Sequence, residues 1–398
     1  MADANIIIPD TINIPHQISS MMYLINEREY QCYIVGECVK NIVLVEPMGD
    51  IDIVVNAELD RLEYILENYS IREIDYKKNT MVVMAGAIPV MLSGFRCDDP
   101  KITMPYRTLK DELRNCDFTI NTICADRTGK IRDIFDGVSC LSQKPIMLKS
   151  VGEDEPPYID ENGETITPPI SVEKNPQYIL KALALAGSGE YVISNKTANT
   201  IKVNARSVTS LPPSVLRKGF EEILMSKRVC DIFMEYSKVV TAIIPELHDA
   251  LDFDQKSIFQ NYTLYEHLCK SVGYSSPDLA LRYALLFHGA GKPDCMAENA
   301  EGYSTYYGHS ERSMLIAVNA MKRLEAERDL IDEVAFLITH HDMGELLEEQ
   351  DALELVEKYS KQDVKKILLM SAANLRAKSP DNEQKANAIK RMSDIVIR

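Results

Sequence analysis

Two aspartates one residue apart, Asp50 and Asp52, open the segment GDIDIVV and are the pair in this chain best suited to chemistry on phosphates. In an extended strand successive side chains alternate between faces, so both carboxylates point one way while Ile51 and Ile53 point the other, toward a core. Two carboxylates held together repel, and a cation between them relieves the repulsion. One or two Mg²⁺ ions suit the pair, because Mg²⁺ takes oxygen ligands and is commonly shared between one or two carboxylates and a substrate's phosphates. A calcium loop does not fit, since Ile53, Val54 and Val55 follow where oxygen ligands would be needed. The plainer alternative makes Asp50 a turn cap after Met48-Gly49 and Asp52 a solvated edge residue.

The elements around the pair decide between these. The apolar run Cys32–Val35 predicts a strand ending at Gly36, and a helix over 37–44 follows. A glycine at that junction lets backbone N–H groups approach a phosphate, and a helix start adds a favourable dipole. Further strands over 50–55, 71–76, 81–86 and 89–95, with helices over 14–28 and 59–68, make a mixed α/β head ending near residue 148. The strand after residue 88 offers no third carboxylate. The acidic, proline-containing stretch 152–169 reads as an exposed loop. From residue 173 only helices are expected, over 174–187, 196–206, 212–225, 227–237, 277–289, 309–325, 328–341, 351–358 and 362–376. The fold class is therefore α+β, with a mixed α/β head over 1–150, an acidic linker over 151–172, a helical neck over 173–250 and a helical body and tail over 251–398.

The run GECVKNIVLVEPMGDID resembles the signature of the bacterial class II tRNA nucleotidyltransferases (CCA-adding enzymes) and poly(A) polymerases: Gly-Gly-x-Val-Arg-Asp, a short helix, then D-x-D. CDFTINT at 116–122 is similar to that family's Arg-Asp-Phe-Thr-Ile-Asn-Ala, IFDG at 134–137 to the segment after it, and EKNPQYILKALALA at 173–186 to its Glu-Asp-Pro-x-Arg helix. The resemblance covers residues 5–230 and implies attack by an RNA 3′-hydroxyl, that of tRNA, on the α-phosphate of CTP or ATP. It implies catalytic, metal-holding roles for Asp50 and Asp52, and a nucleotide site of Gly36, Glu37, Lys40, Arg114, Asp117, Asn121, Asn175, Tyr178 and Lys181. The departures are as specific. Glu37 stands at the second glycine, Lys40 at the arginine and Asn41 at the aspartate; Asn115 and Cys116 replace an arginine pair, leaving Arg114 as substitute; and the base-reading positions carry Lys174, Asn175 and Tyr178. Lysine keeps the charge of arginine without its two-pronged grip on phosphate. A nucleotide- or RNA-binding relative without activity is the alternative these changes suggest.

Farther along, YEH at 265–267, LLFHGAGKP at 285–293 and GHS at 308–310 resemble an HD domain, which implies a metal-dependent phosphohydrolase site at His267, His288, His309 and Asp342. Gly289 stands where that pattern has its aspartate, and imidazoles alone under-coordinate a hard cation. Hydrogen-bonded core histidines are therefore expected instead.

Composition constrains partners. With 44 basic and 60 acidic residues the net charge is −16, so RNA must meet a local basic surface. Two runs could supply one: Arg206, Arg217, Lys218, Lys227 and Arg228, and the tail carrying Lys365, Lys366, Arg376, Lys378, Lys385, Lys390 and Arg391. With no tryptophan and 19 tyrosines, base stacking falls to tyrosine. No stretch approaches the roughly 18 apolar residues of a membrane span, and the first residues lack the basic start of a signal peptide. Nine scattered cysteines without C-x-x-C read as reduced core residues. A cytoplasmic protein with no membrane partner is expected.

Overall fold

The computed structural model describes residues 9–97, 103–104, 106–159, 163–256, 262–299, 304–343, 349–378 and 382–396. The chain divides into two compact units: Met1–Tyr178 with Tyr191–Thr200, and Ile179–Glu190 with Ile201–Arg398.

The first unit is built on a sheet of β1 Cys32–Val35, β2 Ile51–Val55, β3 Ser70–Asp75, β4 Thr80–Ala85, β5 Ile88–Gly94, β6 Cys124–Ala125 and β7 Ile131–Arg132. Its order is β3-β4-β5-β2-β1-β6-β7. β2 lies near the centre, antiparallel to β1 and parallel to β5. Central strands are buried, and the β-branched run of β2 suits that place: Ile51, Ile53 and Val55 are buried on one face and Val54 on the other. Helix α1, His16–Glu27, buries Ile18, Met21, Met22 and Ile25 at helical spacing and packs on β1, β4 and the helix Leu59–Ile65. A seven-residue helix, α2 Glu37–Val43, follows β1 directly. Thr108 caps α3, Leu109–Leu113, through a reciprocal box with Asp111, the arrangement that satisfies two orphan N–H groups at once.

The boundary expected near residue 150 falls instead at Tyr178, and the acidic stretch belongs to the first unit. Its carboxylates are what bind it there. Glu153 accepts from the Ser194 and Thr197 hydroxyls, each at 2.6 Å, and Tyr158–Ile159 pairs with Thr165–Ile166. The expectation of helices alone beyond residue 173 is also corrected. Tyr191–Ile193 is a strand parallel to Ile146–Leu148, as suits a β-branched and aromatic tripeptide released from the preceding helix by Gly189 at φ +87°. Ala297–Glu298 pairs with Ser304–Thr305.

Helix α4, Gln177–Ser188, carries the chain into the second unit. There α5 Leu264–Gly273, α6 Leu279–Phe287, α7 His309–Arg323, α8 Arg328–His340, α9 Lys361–Lys378 and α10 Glu383–Ile395 form the helical body. α6 is buried all round, so it is the centre of that unit; α5, α7, α8 and α9 pack on it. α5 and α10 are two elements that the apolar periodicity left unpredicted. No described helix is long and apolar enough to cross a membrane.

Candidate functional site

β1 and β2 pair with Val35 opposite Asp52, so the chain leaving β1 at Gly36 turns beside that carboxylate. Gly36 adopts φ +79°, ψ −149°, a conformation essentially restricted to glycine. A Cβ placed on it would lie 3.8 Å from Asp52 Oδ2. Glycine thus makes the bend and keeps the space before the carboxylate clear. Asp50 is exposed and Asp52 half-buried, while Ile51 and Ile53 are buried on the other face. Burial first, and the charge of Asp50 second, hold the Asp52 carboxyl above its ordinary range. Burial, helped by Asp52, pushes the neighbouring Cys38 thiol up to about 11. Asp52 is paired on its other side with Met91 of β5, so that strand adds no acid. Two mutually repelling oxygen donors facing an open glycine turn fit a hard divalent cation.

The other expected residues divide into two groups. Lys40 is largely buried and lies 3.3 Å from Glu37, so the acid replacing the second glycine already pairs with the cation replacing the arginine. Asp117 is buried and accepts from the Phe118 N–H and Asn121 Nδ2, both at 2.7 Å. The turn Thr119–Asn121 packs against α2, which connects Asp117 and Asn121 to the Gly36 corner. Arg114, the expected substitute cation, is bound by Glu155 through Nη2 at 2.7 Å and Nε at 3.2 Å; Lys110 joins them at 3.3 Å. These three, with Cys97, Tyr158 and Lys174, line a cavity of about 560 Å³ that neither Asp50 nor Asp52 lines. Tyr178 donates its hydroxyl to Asn115 O at 2.9 Å, and Asn175 Oδ1 accepts from the Gln177 N–H at 3.0 Å. Lys181 is exposed and belongs to the second unit.

The basic runs are partly neutralised within the second unit. Lys366 bridges Asp278 and Glu333, Arg376 meets Glu383, Arg217 meets Glu221 and Arg228 meets Asp231.

In the same unit four histidines stand in a row, ring centroids 5.2 Å apart from His267 to His288, 5.2 Å to His341 and 5.3 Å to His309. His288 Nδ1 faces Leu285 O at 2.7 Å, so it carries the proton, and His288 Nε2 accepts from His267 Nε2 at 3.2 Å. Burial drives the His267 imidazole down to about 3. His267 and His288 therefore behave as hydrogen-bonded core residues, as the missing aspartate at Gly289 led us to expect. The other pair differs. His309 and His341 each donate Nδ1–H to a backbone carbonyl, Tyr306 O at 2.9 Å and Ile338 O at 2.7 Å, and their Nε2 atoms lie 4.0 Å and 3.1 Å from the Asp342 carboxylate. The ligand atoms of His309, His341 and Asp342 lie within 4.8 Å of one another.

Residues 32–147 match the family of the poly A polymerase head domain. The chain is similar to CCA-adding enzymes from Lactobacillus delbrueckii subsp. bulgaricus, 22% identical over 230 residues, 55% of this chain and 53% of the relative; from Limosilactobacillus reuteri, 24% over 211 residues, 51% and 48%; and from Geobacillus thermodenitrificans, 29% over 136 residues, 32% and 33%. The chain spans about half the length of the first two. In fold it resembles the Bacillus stearothermophilus CCA-adding enzyme in complex with CTP, with a TM-score of 0.57 at 17% identity over 94% of this chain and 81% of that one. It also resembles the Thermotoga maritima CCA-adding enzyme complexed with tRNA, with a TM-score of 0.59 at 16% identity over 96% and 83%. A poly A polymerase head followed by helices is thus the architecture of the chain.

Around that head, two residues escaped sequence reasoning. Glu155 was hidden in a stretch read as linker, and Arg96, which grips the buried Glu112 at 2.5 and 3.0 Å, sits just after β5 where pattern carries no functional signal.

Proposed function

We propose that the chain is a template-independent RNA nucleotidyltransferase that adds nucleotides to an RNA 3′ end, with tRNA as acceptor and CTP or ATP as donor. One observation carries the reading: the Asp52 carboxylate lies beside the Gly36 corner, with the charge of Asp50 close enough to raise it, inside a segment that matches the poly A polymerase head domain. The names of the relatives support the substrate class. Asp50 and Asp52 would hold Mg²⁺, which when bound supplies charge neutralisation on the triphosphate and acidifies a coordinated hydroxyl. The Gly36 corner admits the triphosphate close to the backbone because no side chain fills it. Asp117, through Asn121, fixes the turn packed on α2 and so positions that corner. Asn175 precedes and Tyr178 lies in the helix Gln177–Ser188, at two of the base-reading positions, where uncharged polar groups stand in place of the family's acidic residue and arginine.

Incubation with Mg²⁺, labelled CTP or ATP and tRNA lacking its 3′ end tests this. Incorporation that Asp50→Asn abolishes is expected; no incorporation by the unaltered protein overturns it. A nucleotide-binding relative without transfer is the second reading, favoured by the pairing of Lys40 with Glu37 and of Arg114 with Glu155. It requires nucleotide binding, unchanged by Asp50→Asn, in the absence of incorporation.

A further inference from the structure

The cavity of about 560 Å³ in the first unit is walled by Lys110, Arg114, Glu155, Tyr158, Pro168 and Pro169. Lys110 and Arg114 stand four residues apart, in α3 and just after it, so one side of that turn presents both cations. The acids of the same helix are committed elsewhere. Asp111 accepts from the Thr108 N–H at 2.8 Å and the Thr108 hydroxyl at 2.7 Å, and Glu112 accepts from Arg96. Glu155, from the acidic stretch 152–169, therefore answers the charge of the pair. Its contact uses little of what the cations offer. A single oxygen, Oε1, receives Arg114 Nη2 at 2.7 Å, Arg114 Nε at 3.2 Å and Lys110 Nζ at 3.3 Å. A guanidinium fork is shaped for two oxygens at once. A phosphate supplies one to each prong and another to the lysine.

The Glu155 carboxylate can leave without undoing the segment that carries it. Glu153 is bonded to Ser194 and Thr197, Asp154 pairs with Lys149, and the Glu155 N–H meets Gly152 O at 3.1 Å. The side chains of Lys110 and Arg114 are 49% and 39% exposed, and ion pairs so placed add little to stability. Tyr158, also largely exposed, gives the same space an aromatic face on which a base can stack. Charge selects the ligand. Glu155 carries one negative charge, and so does a phosphodiester. A triphosphate carries several and calls for a metal, whereas neither Asp50 nor Asp52 lines this cavity.

We propose that the cavity is a site for single-stranded RNA in which Glu155 stands in for the ligand: a backbone phosphodiester displaces its carboxylate from Arg114 and Lys110, and a neighbouring base stacks on Tyr158. The acidic stretch is thus an internal competitor. A strand that supplies both phosphate and base displaces the carboxylate, while a simple anion gains nothing over it. This goes beyond the reading given for the head, since nothing in it needs Asp50, Asp52 or a metal.

The test follows the anisotropy of a labelled single-stranded oligoadenylate with the full chain carrying Asp50→Asn and Asp52→Asn, in EDTA. Glu155→Gln is expected to tighten binding about threefold, a gain that misfolding does not produce. Arg114→Met is expected to weaken it about tenfold and to lower the salt slope by about one. Combined with Glu155→Gln, it erases the gain. Tyr158→Ala weakens binding with the slope unchanged. Asp249→Asn removes the same charge from an exposed residue of the second unit and leaves the affinity as it was; an equal gain there reduces the effect to net charge and overturns the proposal. A Glu155→Gln protein that binds the strand no better than its parent, or a gain that survives Arg114→Met, overturns it as well. CTP is expected to displace the bound strand only weakly, and displacement at equal concentration overturns the assignment to a diester. Nucleotide incorporation is read separately on protein with both aspartates intact, so failure of either reading leaves the other standing.

Discussion

The acid pair of the head and the histidine row of the second unit are both clusters of titratable groups, yet the chain builds them in opposite ways. Asp50 and Asp52 lie at the start of a strand whose other face is core, before a glycine corner that leaves them open. The histidines lie between helices, and three of the four, His288, His309 and His341, are oriented by a carbonyl three residues earlier. Alternation along a strand delivers two hard donors to one side with almost no supporting structure. Imidazoles, having two nitrogens, need a second partner to decide which one is offered. The first cluster is therefore local in sequence and the second is assembled from distant segments.

The largest expected effect separates the two clusters by function. Asp52→Asn should lower nucleotide incorporation by about 10³-fold or more, roughly 4 kcal/mol of transition-state stabilisation, while the thermal unfolding of the second unit stays as it was. Rates of labelled CTP incorporation and the melting curve, measured on the same preparation, check this together. Next come the supports. Ile53→Ala removes a fully buried side chain beneath the acid pair and should cost about 2–5 kcal/mol in denaturant unfolding of the head.

Gly36→Ala should cost about 1–3 kcal/mol, because the backbone there is closed to other residues, and it also places a methyl 3.8 Å from Asp52 Oδ2. A triphosphate affinity that falls more than the stability does would sharpen the contrast; an unchanged affinity would remove the glycine corner from the site.

The smallest effect is a pH dependence. The Asp52 carboxyl is raised by burial and by Asp50, so the folded head favours its protonated form. That contribution is complete below the unfolded carboxylate pKa and is lost as pH rises through the folded value. Asp50→Asn removes one cause, so it should raise the melting temperature near neutral pH and narrow the difference between neutral and acidic melts. Equal shifts at both pH values would show that the two acids do not interact.

Much of the head was legible in the sequence because its signals are short-range. Strand alternation put Ile51 and Ile53 inside and the aspartates outside, and the glycine at 36 marked a bend that only glycine makes. The acidic stretch misled because a carboxylate looks the same whether solvated or capping: Glu153 and Glu155 bind partners about 40 residues away, and no local pattern encodes that. Arg114 could be nominated as a free cation from its position alone, and only the folded chain reveals the carboxylate that holds it.

By itself the sequence determined the strands and helices around the acid pair, the side of β2 on which Asp52 lies, and the absence of a carboxylate at position 289. Tertiary structure decided which histidines join and which are spent on each other. His267, His288, His309 and His341 come from four separate segments, and the choice of which nitrogen each offers rests on carbonyl positions and helix packing that exist only once the chain has folded. Periodicity fixes where a side chain points relative to its own element; only packing fixes what it points at.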